Sequence, residues 1–138
     1  CLLTKVLYRK EPGHKNFVIV DAAMNDLARP ALYDAYHAIW PLTKSLVGRY
    51  VADVVGPVCE SGDCLAKARP VPRPQSGDVW AIMAAGAYGF AMSSQYNARP
   101  RAAEILVLGK KHWVVRARES WADLIRGEKI PEGAEWAI

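Results

Sequence analysis

No apolar run in this chain approaches the ~18 residues that a membrane-crossing helix needs, and no secretory signal pattern is present. Cysteine is scarce. Cys1, Cys59 and Cys64 form an odd count, with no CxxC pair and no histidine partner at zinc-ligand spacing. Such usage excludes a disulfide scaffold and fits free thiols in a reducing, cytoplasmic compartment. His14, His37 and His112 are not grouped with carboxylates at metal spacing, so no metal site is expected. Basic runs are missing too, apart from Lys110-Lys111. The formal net charge of +4 is therefore read as solvated surface rather than as a nucleic-acid footprint. Internal repeats and heptads are absent.

What is present is ordinary for a globular protein. The chain has 138 residues, 51% hydrophobic and 23% charged, which suits one domain with a core of its own. It starts at Cys1, without Met, directly on an apolar run, and reads as a fragment of something longer.

Leu2 to Tyr8 alternates loosely and is β-rich. Glu11-Pro12-Gly13-His14 signals a turn, and Phe17-Val18-Ile19-Val20 is a short apolar strand, so the first twenty residues predict a hairpin. Asp21 to Leu27 is a loop or a short helix. Arg29 to Tyr36 suits a helical turn with Pro30 at its start, and Pro41 stops any regular element. Tyr50 to Gly56 is a strand. Ala68 to Asp78, with Pro70, Pro72 and Pro74, reads as extended loop, because prolines so close cannot sit in a central strand. Val79 to Met83 is a buried strand. Residues 103–108 and 112–116 form a hairpin about Gly109. Ser120 caps a short helix through Ile125, and Glu128 to Ile138 is a tail. The five tryptophans are assigned to core or interface. Short strands, tight turns and few helices predict a mostly β domain, antiparallel, closed as a barrel or a sandwich.

The chemistry concentrates in Gly56-Pro57-Val58-Cys59-Glu60-Ser61-Gly62-Asp63. An apolar strand ends at a sharp turn that presents a thiol beside a carboxylate, with a second carboxylate three residues on. Free cysteine is commonly a small buried hydrophobe. At a strand-end loop, next to Glu60, Cys59 is instead a candidate proton donor. Glu60 is a candidate for a substrate cation. Asp63 is expected to hold the loop by accepting backbone N–H groups, and Cys64 is read as structural. Tyr88 sits in Ala85-Gly86-Ala87-Tyr88-Gly89, where flanking glycines allow close approach; its phenol suits a phosphate or other ligand, or a buried place beside a bulge. Arg29 and Tyr33 share a face if Pro30 opens a helical turn. That pair suits a carboxylate, because the guanidinium fork grips both oxygens, or makes a plain surface contact.

Five segments carry a resemblance: Val18 to Leu27, Arg29 to Tyr33, Val55 to Asp63, Gly86 to Met92, and Ser93-Ser94-Gln95-Tyr96-Asn97 with Arg99-Pro100. In that order they resemble the C-terminal part of the diaminopimelate decarboxylases, from Leu2 to about Ile125. The resemblance implies a two-domain enzyme, a β/α barrel that holds pyridoxal 5'-phosphate and a β domain. Residues 1–138 match the β domain, less its first strand. The cofactor's lysine and its glycine-rich phosphate loop would lie in the barrel, so this chain alone is expected to be inactive. By resemblance, Cys59 donates the proton and reaches across a homodimer interface into the partner's site. Glu60 binds the distal ammonium of the substrate, Arg29 its distal carboxylate, Tyr33 the substrate, and Tyr88 both substrate and cofactor. The implied reaction is decarboxylation of the small molecule meso-2,6-diaminopimelate to L-lysine and CO2. Two alternatives stand beside it: a related decarboxylase for ornithine- or arginine-type substrates, and a non-catalytic dimerisation module. Glu60 argues against the first, since that position should change with the substrate's distal group.

Overall fold

The computed structural model describes residues 1–43 and 48–133. These fall into two compact units, Cys1–Arg99 and Pro100–Ile138.

The first unit is built on a six-stranded sheet. Its strands are β1 (Leu2–Lys10), β2 (Phe17–Val20), β3 (Ile39–Pro41), β4 (Arg49–Val55), β5 (Cys64–Pro72) and β6 (Val79–Ile82). Their order across the sheet is β3-β6-β1-β2-β4-β5. β1 alternates as a half-buried strand must, with Thr4 and Val6 inward and Leu3 and Lys5 outward. β2 is apolar throughout because it lies in mid-sheet, with Val18, Ile19 and Val20 all buried. Val6, Val20, Val54, Leu65, Trp80 and Ile82 form the centre of the core. The edge strands β3 and β5 approach each other, so the sheet curls toward closure. The fold is mostly strand with short helices, as the sequence suggests.

Two particulars differ from the sequence reading. The pairing is antiparallel except between β2 and β4, which run parallel. Adjacent strands joined by a hairpin cannot be parallel; the long connection from Asp21 to Gly48 makes it possible. The proline-rich stretch is also not all loop, since Pro70 and Pro72 lie in β5. β5 is an edge strand, where a missing N–H leaves no gap in the ladder.

The connection between β2 and β4 carries α1 (Arg29–Tyr33), with Pro30 in its first turn as expected. Residues 21–27 form a loop rather than a helix. After β6 come α2 (Gly89–Met92) and a 3-10 turn at Tyr96–Ala98.

The second unit holds the hairpin β7 (Glu104–Leu108) and β8 (Lys111–Arg116), then α3 (Trp121–Leu124). Gly109 supplies the turn at φ +59°, where an L side chain is strained. Ser120 is the N-cap residue of α3, and Asp123 accepts from its backbone N–H at 2.8 Å and its hydroxyl at 2.7 Å. Arg101 and Glu119 brace the base of this unit: the guanidinium Nε and Nη2 both donate to Glu119 Oε1, and the Arg101 backbone N–H donates to Oε2 at 2.9 Å. Of the tryptophans, Trp80 is core, Trp40, Trp113 and Trp121 are exposed, and Trp136 lies outside the described residues.

Candidate active site

β4 ends at Val55, and the chain turns back into β5 at Cys64. Asp63 is the clamp of that turn. Its Oδ1 accepts the Met24 N–H at 2.7 Å and its Oδ2 accepts the Val58 N–H at 2.9 Å. The Gly56 N–H donates to the Asp63 carbonyl at 3.0 Å. A Cβ at Gly56 would stand 2.3 Å from Asp63 Oδ2, so only glycine lets the carboxylate into this place. The clamped loop leaves both Cys59 and Glu60 exposed to solvent. Asp63 accepts backbone N–H groups and holds the loop, as expected from the sequence, and its side chain is buried while its neighbours face outward.

Glu60 is held at both oxygens. Oε1 accepts the Gly62 N–H at 3.1 Å, and Oε2 accepts the Tyr96 hydroxyl at 3.1 Å. The Gly62 N–H first, and then the Tyr96 hydroxyl, keep the carboxyl below its ordinary range. The same contact raises the Tyr96 phenol, chiefly through the hydrogen bond to Glu60 and then through its charge. Cys64 behaves differently from Cys59. It is partly buried, its thiol meets the Ala66 carbonyl at 3.4 Å, and burial pushes its pKa up, with the Asp53 charge adding to the shift.

Three chain segments meet here through hydrogen bonds. The Cys59 loop is tied to Met24 through Asp63. The next residue, Asn25, is 2% exposed and donates to the Ser94 carbonyl at 3.3 Å, while its own carbonyl accepts the Ser94 N–H at 3.0 Å. Arg99 closes the bracket, with Nε on Asn25 Oδ1 at 2.9 Å and Nη2 on the Asp21 carbonyl at 2.6 Å. The segment containing Tyr88 and Tyr96 is thereby fixed to the loop that leads into α1.

α1 carries Arg29, half-buried, and Tyr33, 65% exposed, on one face. Tyr88 precedes α2 in a left-handed conformation at φ 60° and is 68% exposed. Non-glycine residues there are strained, and such strain clusters at ligand sites. Of its possible roles, a buried tyrosine beside a bulge is not what the structure contains. His37 supports this segment from below. It is buried, and its Nδ1 lies 2.9 Å from the Met83 carbonyl, at the start of the Tyr88 loop. A carbonyl can only accept, so Nδ1 carries the proton.

Sequence reasoning assigned no role to Tyr96, Asn25 or Arg99. Tyr96 lies 36 residues from Glu60, and only the tertiary fold joins them. Two residues on, the left-handed Ala98 at φ 53° leaves no compositional trace.

A pyridoxal group would meet suitable neighbours here. Tyr88 offers an outward phenol, and Cys59 an outward thiol. The described lysines, by contrast, do not suit its aldehyde. All are exposed, and the most constrained, Lys15, is paired at 2.7 Å with Asp53, whose hydrogen bond raises its pKa. A cavity of about 350 Å³ beside Lys15 and Asp53 includes none of the candidate site residues. Among the described residues no cluster of His, Cys, Asp and Glu could hold a metal ion, and no helix is long and apolar enough to cross a membrane.

Residues 1–86 match the family model of the pyridoxal-dependent decarboxylase C-terminal sheet domain. The chain is 52% identical to a diaminopimelate decarboxylase of Aquifex aeolicus over 120 residues, covering 87% of this chain and 29% of the relative. It is also 52% identical to that of Zymomonas mobilis over 131 residues, covering 95% and 31%. Among solved structures, diaminopimelate decarboxylase from M. jannaschii in co-complex with L-lysine aligns at a TM-score of 0.89 with 40% identity, covering 94% of this chain and 30% of that one. The Helicobacter pylori enzyme complexed with L-lysine aligns at 0.83 with 50% identity, covering 91% and 30%. The chain thus spans less than a third of the length of these relatives. A sheet curled around one core, a clamped Cys-Glu loop and a family match over residues 1–86 lead to one assignment: the chain belongs to the pyridoxal-dependent decarboxylases, as their C-terminal sheet domain.

Proposed function

We propose that this chain is the C-terminal part of a diaminopimelate decarboxylase, which converts meso-2,6-diaminopimelate to L-lysine and CO2. The observation that carries the reading is the Cys59-Glu60 pair, both side chains exposed on a loop that buried Asp63 clamps. Pyridoxal phosphate, when bound, supplies the electron sink that makes loss of CO2 feasible. This chain supplies binding groups and a proton. Glu60 takes the distal ammonium in a charge-assisted contact. Arg29 takes the distal carboxylate with its planar fork, and Tyr33 lies one helical turn on. Tyr88 touches cofactor and substrate through its phenol, which offers one O–H donor and an acceptor oxygen. Cys59 holds a proton at Sγ and delivers it to the carbon that has lost CO2.

The lysine that carries the cofactor belongs, in this reading, to a barrel domain outside these residues. The active site is shared across a homodimer. The hairpin β7–β8 leaves Val107, Leu108, Val114 and Val115 exposed, and apolar surface of this kind marks association. Three free thiols suit a cytoplasmic setting.

The test is direct. Full-length protein with pyridoxal phosphate should release CO2 and L-lysine from meso-diaminopimelate, with ornithine and arginine far poorer. Preference for ornithine or arginine would overturn the substrate, and the absence of any decarboxylation would overturn the enzyme.

A further inference from the structure

Tyr96 donates its hydroxyl to Glu60 Oε2 at 3.1 Å, while the Gly62 N–H holds Oε1 at 3.1 Å. Each carboxylate oxygen is thus fixed by one donor and keeps lone-pair capacity for another. The phenol is not free to drift. Ser94 on one side of it and Arg99 on the other are both bound to Asn25. Ser94 Oγ accepts the Tyr96 N–H at 3.3 Å. Just after Tyr96 the backbone passes through two left-handed residues, Asn97 at φ 59° and Ala98 at φ 53°. Alanine does not choose that conformation unaided; it persists where surrounding contacts over-determine it. The same dipeptide, Met24-Asn25, anchors both sides of the contact, since the Met24 N–H binds Asp63 of the Glu60 loop. The carboxylate and the phenol are therefore set against each other from one fixed point.

We propose that Tyr96 is a specificity-determining positioning residue: it holds the Glu60 carboxylate in place to receive the distal ammonium of the substrate. The proposal rests on the decarboxylase reading above and deepens it. It assigns discrimination at the distal end to a pair, with the acceptor on the Cys59 loop and its support on the segment after α2. A carboxylate already oriented loses less side-chain freedom when the ammonium arrives, which is the advantage of preorganisation.

The experiment uses the full-length holoenzyme and two ligands. L-Lysine keeps the distal ammonium as its α-ammonium, beside the carboxylate that does not leave, and 6-aminohexanoate is the same chain without it. Wild-type protein should bind lysine more tightly than 6-aminohexanoate by calorimetry. Tyr96→Phe keeps the ring and removes the hydroxyl. A hydrogen bond to a charged group corresponds to roughly a 10–150-fold change. The substitution should therefore raise KM for meso-diaminopimelate and Kd for lysine by about tenfold, with kcat within about threefold and 6-aminohexanoate affinity unchanged. In a Glu60→Gln background the same substitution should have little further effect, because its target is gone. Three results would each overturn the proposal: unchanged lysine-to-6-aminohexanoate selectivity in Tyr96→Phe, equal loss for both ligands, or an undiminished effect in Glu60→Gln. Failure of the wild-type protein to turn over meso-diaminopimelate or to prefer lysine would instead overturn the functional reading, and this inference with it. The wild-type arm thus separates the two failures.

Discussion

Adding one methyl group at Gly56 should disable the site without touching any residue that meets substrate. The Cβ of Gly56→Ala would stand 2.3 Å from Asp63 Oδ2, 2.5 Å from Oδ1 and 2.6 Å from Cγ. Neither side can step aside freely. The Gly56 N–H is bonded to the Asp63 carbonyl at 3.0 Å, and the Asp63 side chain is buried, 3% exposed. The carboxylate must then give up its bonds to the Met24 and Val58 N–H groups, at 2.7 and 2.9 Å. Each bond to a charged acceptor is worth about 1.5–3 kcal/mol. Partial relaxation recovers some of that, so the expected loss is about 3 kcal/mol, the upper range for an overpacked site.

Asp63→Ala removes the same two acceptors and should cost about the same, since two buried donors go unsatisfied. The decisive measurement is the double variant. Once Asp63 is alanine, the methyl at position 56 has no carboxylate to meet, so Gly56→Ala should cost less than about 1 kcal/mol there, a coupling of about 2 kcal/mol or more between the sites. Urea unfolding of the full-length protein gives the stabilities, and turnover at saturating substrate shows whether the Cys59 loop has moved. Simple additivity of the two substitutions would refute the clamp, as would a Gly56→Ala protein of wild-type stability and rate.

The remaining expectations are more local. Cys59→Ala in the full-length enzyme should lower kcat by about 10²–10⁴-fold while keeping the cofactor's absorbance, as befits a lost proton donor; a near-wild-type rate would remove Cys59 from that role. Glu60→Gln and Arg29→Lys should each lower kcat/KM for meso-diaminopimelate by roughly 10–150-fold, with cofactor affinity little changed. Full-length Cys59→Ala, mixed under subunit exchange with a variant lacking the cofactor lysine, should recover about half of one dimer's activity, because a two-fold heterodimer rebuilds one of its two sites. Heterodimers seen by native mass spectrometry but without activity would mean that each site is built from one chain. In α3, the Ser120 N–H, then its hydroxyl, then Arg126 hold the Asp123 carboxyl at about 2. A lowered folded pKa gives stability above the ordinary carboxylate value, lost as pH falls toward 2. The Asp123 carboxylate should titrate near that value by NMR, and a midpoint near 4 would contradict the capping geometry.

Features fixed by neighbouring residues were legible in the sequence. The Gly-Pro turn after an apolar strand gave the loop, Asp63 gave the clamp, Gly109 the hairpin and Ser120 the helix start, because each rests on backbone chemistry within a few residues. Features set by distant pairing were not. The parallel match of Val18 with Val54 depends on where a long crossover returns the chain. The extended prolines became an edge strand only because β4 offered them a partner on one side. Ala68, Ala84 and Ala98 all have positive φ, against their own preference, and no local rule selects alanine for that region. Tyr96 has no local signal of a role. Its meaning lies in a contact with Glu60, and that contact follows from Asn25, which neither residue adjoins in sequence.

The exposure of the site is itself an argument about how it works. Cys59, Glu60, Tyr33 and Tyr88 all face solvent on this chain. A carbon that has just lost CO2 takes a proton from whatever acid stands nearest, and water competes wherever it has access. A thiol left in open solvent would have no exclusive claim on that carbon. A carboxylate in water is also a weak partner for an ammonium, because exposed ion pairs are worth about 1 kcal/mol or less. The roles proposed for Cys59 and Glu60 therefore require walls that the described residues do not provide. In the proposed dimer those walls are the partner's barrel, and docking converts an exposed loop into a dry, charge-selective one. The rigidity of that loop then has a purpose. With Asp63 clamping its base and Tyr96 bracing Glu60, the loop can enter a partner's site already in its working shape.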